Sequence, residues 1–434
     1  MVKKAKHDDM LSNLPDSILS RILSLLPIKN AVSISILSTR WRYLSASLFN
    51  LDVNFYLFMR SPPHIVKSFT NFMDKLLFFH AEERIQQFRL NHTYISGIDD
   101  SHVCRWIYAS LWRGVKELDL VFYNFYNMSM LPTALLFTGT TLVRLKLYMP
   151  FVMTVPIYIC LPNLKTLELR SIKFEDDDSV KRLFSSCHVL EDLSIFDCDM
   201  RNITCLKISN PSLKSLTLVF KYFIMFGLYA IVLDLPSLAY FKYDGHKARN
   251  YSMVNMPYLA KADINIYGES GPIEEGLVEF FQQLGNVNSL HLTLEPQALP
   301  VLSHKRFDAF GNLLRLQIVN WSNDEWEGAW LLEFLELSPN LQTLVIRKLS
   351  KQVSLPMEKV PSCVVYQLKE FKVIDFDEKS SLFNLVTYIL KNAAVLEKLI
   401  ISTSKLMMIE EKFRITKQLL NLPMCSNKCR VIAF

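Results

Sequence analysis

The central and C-terminal parts of the chain repeat one short pattern of hydrophobic and polar positions. Its form is Leu-x-x-Leu-x-Leu, with other apolar residues in place of some leucines. The segments are 85–90, 115–120, 142–147, 164–169, 190–195, 213–218, 238–243, 259–264, 287–292, 313–318, 341–346, 368–373 and 396–401. Because successive side chains of a strand point to opposite faces, the Leu-x-Leu part of the pattern predicts a strand with one buried side.

The spacing of these segments predicts a repeat architecture. Their fourth position runs from Phe88 to Leu399, 311 residues in twelve steps, a mean of about 26, which is typical of leucine-rich repeats with one strand and a returning helix or loop per unit. Each unit buries its apolar edge only against its neighbours. We therefore predict an α/β fold over 85–353, an irregular leucine-rich-repeat solenoid with parallel strands and helices on the convex side. The alternative is a mixed α/β domain whose strands look alike by chance.

Three short amphipathic helices are predicted at 10–50. Pro15 suits the first position of a helix, where its missing N–H is not needed. Apolar residues then recur at three- and four-residue steps until Pro27 ends this helix. Asn30 and Ser38 can cap the second and third helices. A module of this size cannot close a self-sufficient core, so its surplus apolar face needs a partner, either the rest of the chain or another protein.

The same stretch resembles an F-box, most closely the plant form. The resemblance rests on Leu14-Pro15-Asp16 and on the run ILSTRWR from Ile36 to Arg42, and it departs from the plant pattern at Ser45, where tryptophan is usual. It implies docking on the Skp-type adaptor of a cullin–RING ubiquitin ligase. The adaptor-binding residues that it implies are Leu14, Pro15, Ile18, Leu19, Ile22, Leu23, Leu26, Val32, Leu37, Trp41 and Leu44. The alternative is a helical hairpin packed on its own chain.

Two segments remain at the N-terminal side of the repeats. Residues 1–9 form a tail of mixed charge. In the connector at 51–84, Ile65, Phe69 and Leu76 have helical spacing. Because the terminal units of a repeat array are atypical, we expect this connector to be a helix that caps the open end of the repeat core.

The C-terminal segment, 354–434, resembles the FBD domain of plant F-box proteins. The resemblance rests mainly on the run YILKNA, which begins at Tyr388, and on a closing Ser-x-x-Cys pattern. It names a family and implies no chemistry. We expect two further strand–helix units that close the far end of the solenoid, with helices near Leu382–Asn392 and Glu410–Leu420.

Composition limits the partners and the compartment. The chain of 434 residues has 48 basic and 42 acidic residues, a formal charge of +6, and it lacks the concentrated basic stripe of a nucleic-acid binder. The longest strongly apolar run, between Lys221 and Asp234, is shorter than the roughly 20 residues that span a membrane. No secretory signal is visible. We therefore expect a cytoplasmic or nuclear protein that binds neither nucleic acid nor membrane, with its eight cysteines reduced.

Catalytic chemistry is not indicated. The motifs of nucleotide-binding enzymes, zinc proteases and serine hydrolases do not occur. Cys187 and His188 are adjacent, and adjacent side chains diverge on a helix or strand. Cys425 and Cys429 have no nearby histidine, whereas a zinc site needs four ligands. The acidic run at 175–178 suits the start of a helix. We predict a non-catalytic chain without cofactor or metal.

The concave side of a solenoid is the expected place for a protein target. The pattern places there Glu117, Asp119, Arg144, Lys146, Tyr148, Thr166, Glu168, Arg170, Asp192, Phe196, Tyr240, Lys242, His291, Arg315, Gln317 and Arg347. The leading interpretation is the substrate-recognition subunit of a Skp–cullin–F-box (SCF) ubiquitin ligase, which contacts the cullin and RING subunits through the adaptor. The alternative is a non-ligase leucine-rich-repeat scaffold with a degenerate F-box, and a hydrolase has no supporting residues.

Overall fold

A computed structural model describes most of the chain. The described residues are 13–34, 36–46, 48–55, 65–79, 85–92, 98–122, 133–221, 229–267, 275–294, 310–319, 329–347, 360–376, 382–403 and 407–433. They fall into two compact units, Met1–Asn202 and Ile203–Phe434. The predicted tail at 1–9 lies outside the described residues.

The first unit opens with the three predicted helices: α1 (Asp16–Ser24), α2 (Ile28–Ile34) and α3 (Thr39–Ala46). Pro15 stands just before α1 instead of inside it, and its carbonyl accepts hydrogen bonds from the backbone N–H groups of Ile18 and Leu19. The Ser38 hydroxyl accepts from Trp41 N at 3.3 Å, which confirms the predicted cap of α3. The three helices contact one another and form one module.

The remaining elements of the first unit are strands and helices, which alternate as far as the strand Arg144–Tyr148. They are β1 (Asn50–Asn54), α4 (Ile65–Phe79), β2 (Gln87–His92), α5 (Asp100–Trp112), β3 (Glu117–Phe122), α6 (Thr133–Leu136), β4 (Arg144–Tyr148), β5 (Val152–Met153), β6 (Thr166–Arg170), β7 (Lys173–Phe174), α7 (Asp177–Ser186) and β8 (Asp192–Phe196). Strands β1, β2, β3, β4, β6 and β8 pair in parallel in that order. The short strands β5 and β7 pair separately.

The second unit begins, within the described residues, with six strands and then alternates between helices and strands, apart from two successive strands, Ser289–Leu294 and Arg315–Val319. Its elements are β9 (Cys205–Ser209), β10 (Ser215–Phe220), β11 (Ala230–Asp234), β12 (Tyr240–His246), β13 (Asn250–Val254), β14 (Lys261–Tyr267), α8 (Glu275–Gln283), β15 (Ser289–Leu294), β16 (Arg315–Val319), α9 (Ala329–Glu336), β17 (Thr343–Arg347), α10 (Ser362–Tyr366), β18 (Glu370–Phe376), α11 (Leu382–Asn392), β19 (Lys398–Thr403), α12 (Ile409–Leu420) and β20 (Arg430–Ala433). Strands β10, β12 and β14 to β20 pair in parallel in that order.

The repeat pattern is confirmed strand by strand. Each of its segments forms a strand that begins at the third position of the pattern. The fourth and sixth positions point inward: in β6, for example, Leu167 and Leu169 are fully buried while their strand neighbours are partly exposed. The helices expected near Leu382–Asn392 and Glu410–Leu420 are present as α11 and α12.

In one part of the second unit, strands stand where helices on the convex side were predicted. There β9, β11 and β13 form a second parallel sheet of three strands. The sequence of β11, Ala-Ile-Val-Leu-Asp, alternates in burial and is rich in β-branched residues, which favour strands. Among the described residues of the second unit, the first helix is α8, after β14.

The connector also differs from its prediction. Helix α4 is present, but Leu51 and Val53 lie fully buried in β1, which pairs with β2. Helix α4 therefore connects two neighbouring strands, as the helices of the repeats do. It packs on α5, where the rings of Phe69 and Trp106 are 5.6 Å apart. A domain boundary at residue 50 consequently falls inside the first strand.

No helix among the described residues is long and apolar enough to cross a membrane.

Candidate interaction surfaces

The helical module exposes several large apolar side chains. Among the predicted adaptor-binding residues, Ile18 is 45% exposed and Leu37 is 71% exposed, and Pro15 is exposed too. Two residues that the prediction left out are more exposed still, Leu25 at 80% and Ile36 at 82%. Ile18, Leu25, Ile36 and Leu37 are called the exposed apolar residues below. Such side chains are what a protein partner can cover without any change in the module.

Other predicted adaptor-binding residues lie inside the module. Leu19, Leu23, Trp41 and Leu44 are at most 9% exposed, and the helices that carry them contact one another. A partner could not touch these four side chains in this conformation, so their assignment as direct contacts is replaced by a structural role. The remaining predicted residues are half-buried: Leu14, Ile22, Leu26 and Val32.

Polar contacts hold the three helices together. Arg40 on α3 pairs with Asp16 at 2.6 Å and donates to the carbonyl oxygen of Leu14 at 2.6 Å. These contacts join the two ends of the F-box-like motif. Ser45, where the plant pattern has tryptophan, is buried and donates from its hydroxyl to the carbonyl of Ala31 at 3.0 Å. The departure at Ser45 is therefore accommodated by a hydrogen bond between α3 and α2.

In the first unit, partly exposed side chains along β1, β2, β3, β4, β6 and β8 form what we call the first strand face. Its central row alternates in charge. The register places Asp52, Arg89, Asp119, Lys146 and Glu168 on successive strands. Arg89 lies 3.3 Å from Asp119 and 3.9 Å from Asp52, and Lys146 lies 2.6 Å from Glu168. Burial raises the pKa of Asp119, and the charge of Arg89 opposes that shift. The charges of this row are thus matched within the face.

An aromatic–arginine stack lies beside this row. The Arg170 guanidinium carbon is 4.4 Å from the centre of the Phe196 ring and 5.3 Å from that of Tyr148, a geometry that is favourable for a cation over an aromatic ring. Glu117 and Arg144, which were also predicted to face a target, are partners in the register of β3 and β4. The structure therefore brings the predicted target residues of this unit onto one face.

In the second unit, the corresponding side chains of β10, β12 and β14 to β20 form what we call the second strand face. A polar chain of contacts crosses it. The Tyr240 hydroxyl donates to Asp263 at 2.7 Å, His291 Nδ1 lies 3.8 Å from Asp263, and Gln317 Nε2 lies 3.3 Å from His291 Nε2. Burial lowers the pKa of His291, so we expect a neutral ring near pH 7. Lys261 lies 5.1 Å from the centre of the Tyr240 ring.

Two predicted arginines occupy different positions on the second strand face. Arg315 is exposed at the start of β16. Arg347, at the end of β17, donates from Nε to Asp375 at 2.8 Å. The first of these guanidinium groups is therefore available to a partner, whereas the second already has a carboxylate beside it.

The side chains considered for catalysis do not meet. Cys187 is buried, its thiol donates to the carbonyl of Leu183, and burial raises its pKa to about 12, while His188 is exposed. The acidic run begins helix α7, as the sequence predicted, and Asp176 caps this helix by accepting from Ser179 N at 2.6 Å. Within the described residues, no group of three or more His, Cys, Asp or Glu side chains is arranged to hold a metal ion.

Some residues of these surfaces were missed in the sequence although the signal was present. Arg89, Lys261 and Asp263 occupy the third or fifth position of their segments, the positions that alternate with the buried ones. Asp52 on β1 is the fifth position of residues 48–53, LFNLDV, which also fit the pattern but were not included in it. Strict use of the alternation would have found all four. Leu25 and Ile36 carry no such signal because exposure of an apolar side chain depends on the packing of the helices.

The described structure combines a three-helix module that exposes apolar side chains with an array of parallel strand repeats. Family models match both parts: the model of an F-box domain matches residues 11–51, and that of the At1g61320/AtMIF1 LRR domain matches residues 76–430. F-box/LRR-repeat protein At4g14096 of Arabidopsis thaliana is 30% identical over 91% of this chain and 87% of its own length. The F-box/FBD/LRR-repeat protein At5g56420 of the same plant is 28% identical over 98% of this chain and 99% of its own.

The chain therefore belongs to the plant F-box/LRR-repeat family. F-box domains in general bind Skp1-type adaptors, and F-box/LRR proteins in general act as non-catalytic substrate receptors of SCF ubiquitin ligases.

Proposed function

We propose that this chain is the substrate-recognition subunit of an SCF ubiquitin ligase. The helical module would bind a Skp-type adaptor, and the strand faces would bind a protein target. Ubiquitin transfer would then follow from proximity, because holding the target near a charged enzyme raises the effective concentration of its lysines. We place this function in the cytoplasm or the nucleus.

One observation carries the adaptor half of the proposal. The module has its own buried interior, which includes Leu19 and Trp41, yet it leaves Ile18, Leu25, Ile36 and Leu37 exposed. Large apolar side chains that are exposed on the described surface of a module favour association with another protein. Family membership supplies the kind of partner, a Skp-type adaptor.

The C-terminal segment is assigned by the same reasoning. We infer that 354–434 is an FBD domain, because its sequence resembles one and two relatives carry FBD in their names. In the described part of this segment, β18, β19 and β20 extend the parallel pairing of the second unit. The segment would complete the repeat region without chemistry of its own.

Co-purification with a plant Skp1-type adaptor tests the proposal. We expect wild-type protein to bind the adaptor, and Leu37→Glu or Leu25→Glu to weaken binding by about tenfold or more, since one desolvated anchor typically contributes about 2 kcal/mol. The matched control is Ile157→Glu, which changes a 93%-exposed isoleucine outside the module and should leave binding unchanged. Failure of the wild-type protein to bind any adaptor would favour a non-ligase scaffold.

A further inference from the structure

The second strand face carries a concentration of positive charge. The register of β12, β14, β15 and β16 sets Lys242 beside Asp263, His291 and Gln317 in one row. The neighbouring row holds Tyr240, Lys261, Ser289 and Arg315. We call Lys242, Lys261 and Arg315 the basic cluster. These four adjacent strands thus hold three cations and a single carboxylate in the two rows.

That carboxylate is already engaged. Asp263 accepts a hydrogen bond from Tyr240 at 2.7 Å and lies 3.8 Å from both Lys261 Nζ and His291 Nδ1. Among the described residues, no ion pair within 4.0 Å joins Lys242 or Arg315 to a carboxylate. The positive charges of Lys242 and Arg315 nevertheless influence His291. Burial is the largest cause that lowers the pKa of His291, and the charges of the basic cluster lower it further. The cluster therefore keeps an excess of positive charge.

The first strand face shows what an internally matched arrangement looks like. In its central row, each cation stands between carboxylates, with Arg89 between Asp52 and Asp119 and Lys146 beside Glu168. The basic cluster lacks such alternation. On β18 and β19, the same two rows hold Lys372 and Lys398 and also the carboxylate of Glu370. The excess of positive charge is thus local to β12, β14, β15 and β16.

From this arrangement we propose that the basic cluster binds an extended acidic segment of the target protein, one that presents two anionic side chains about four residues apart. The spacing follows from the sheet. Lys242 on β12 and Arg315 on β16 are three strand intervals apart, about 14–15 Å, and two residues apart along the strands, so their total separation is about 16 Å. An extended chain covers that distance in about four to five residues. Ser289 and His291, on the intervening strand β15, can hydrogen-bond to the segment.

The anionic groups are either glutamate or aspartate carboxylates or phosphates on serine, which share the chemistry that lysine and arginine recognise. The inference rests on the proposed function, because it specifies the target that the ligase subunit would hold. Nucleic acid fits less well: stacking of bases needs exposed aromatic rings, and the ring nearest the cluster, Tyr240, is covered by Lys261.

Fluorescence anisotropy with labelled peptides tests the inference on the full chain. The probes are twelve-residue Gly/Ser peptides with two phosphoserines four residues apart, the same peptide with two glutamates, and the same peptide with two unmodified serines. We expect binding of one or both acidic peptides, no binding of the neutral one, and weaker binding at about 1 M than at about 0.1 M salt. Comparison of the two acidic peptides shows which anion the cluster prefers.

Charge-reversal variants test whether the basic cluster is the site that binds the peptide. Arg315→Glu and Lys242→Glu are each expected to weaken binding of the preferred peptide by about tenfold. Lys207→Glu is the matched control, since Lys207 is also an exposed cation on a strand of the second unit, but it lies on β9 of the separate three-stranded sheet. It should leave binding unchanged. If either charge reversal lowers the melting temperature, Arg315→Gln provides the same test with a neutral side chain.

Three results would overturn the inference: no binding of either acidic peptide by the wild-type protein, equal weakening by Lys207→Glu and Arg315→Glu, or equally tight binding of a single-stranded oligonucleotide of the same charge. The adaptor experiment is independent of these results. A protein that binds the adaptor but no acidic peptide would contradict only this inference, and one that binds the peptide but no adaptor would contradict only the proposed function.

Discussion

Within the helical module, side chains of the same chemical type have opposite roles. Leu23 and Trp41 are buried, whereas Leu25 and Leu37 are among the most exposed apolar residues of the described chain. Leu23 and Leu25 are only two positions apart, so they lie on nearly opposite sides of the α1 axis. A variant of a buried residue therefore tests folding, and a variant of an exposed residue tests binding.

Trp41→Ala is predicted to destabilise the module and to reduce adaptor binding through that loss. Removal of a buried tryptophan side chain costs about 3–5 kcal/mol, which is comparable to the whole stability of a small module. Hydrogen exchange read by mass spectrometry should show lost protection over α1, α2 and α3 and unchanged protection over β6. Tyr43→Ala is the control, because Tyr43 lies on the same helix but is 64% exposed. Full protection in the Trp41 variant would contradict a core role.

Secondary-structure elements were predictable to the extent that their own sequence determines them. The strands of the repeat pattern follow from local alternation, Ser38 was recognisable as a helix cap, and the acidic run at 175–178 as the start of a helix. Strand β20 was missed because its sequence, RVIA, is short and Lys428 stands where the pattern has its first leucine. Strand β1 was missed although residues 48–53, LFNLDV, fit the pattern. Local alternation was therefore sufficient for β1, whereas pairing with β19 decides β20, and a single segment does not contain that information.

The interaction surfaces were predictable in position but not in charge balance. Alternation correctly placed Arg144 and Arg315 on the partly exposed side of their strands. Whether a charged side chain has a partner depends on the strand that lies beside it. Asp263, for example, accepts a hydrogen bond from Tyr240 on β12 and lies beside His291 on β15. Those neighbours are more than 20 residues away in sequence, so the pairing register was needed to see them.

Helix α7 offers a prediction about one element. Asp176→Ala should lower the free energy of unfolding by about 1 kcal/mol, because the side chain caps the helix by accepting from Ser179 N. The hydrogen bond with the Ser179 backbone is also the main cause that lowers the pKa of Asp176. A lowered pKa in the folded state means that the stabilisation is present above the unfolded value of 3.8 and is lost as pH falls through the folded value.

Urea unfolding at pH 7 and below pH 3 measures this effect. The difference between wild type and Asp176→Ala should be present at pH 7 and should shrink below pH 3. Asp176→Asn is the matched control, because an asparagine side chain also caps helices and does not titrate. A difference between wild type and Asp176→Ala that is independent of pH would show that the carboxylate charge does not contribute.

At the scale of the whole molecule, the helical module and the strand repeats should be separable at a point set by β1. The module has its own interior, and β1 pairs with β2 over Asn50–Asn54. A chain that begins at residue 47 keeps β1 and should remain folded and monomeric, lose adaptor binding, and retain binding of acidic peptides.

A chain that begins at residue 56 also loses β1, which uncovers one side of β2, where Phe88 and Leu90 are fully buried. An exposed strand edge beside a bared apolar core promotes aggregation, so this second chain should elute as large species in size-exclusion chromatography. Aggregation of the longer chain as well would mean that the module also covers the core of the repeats.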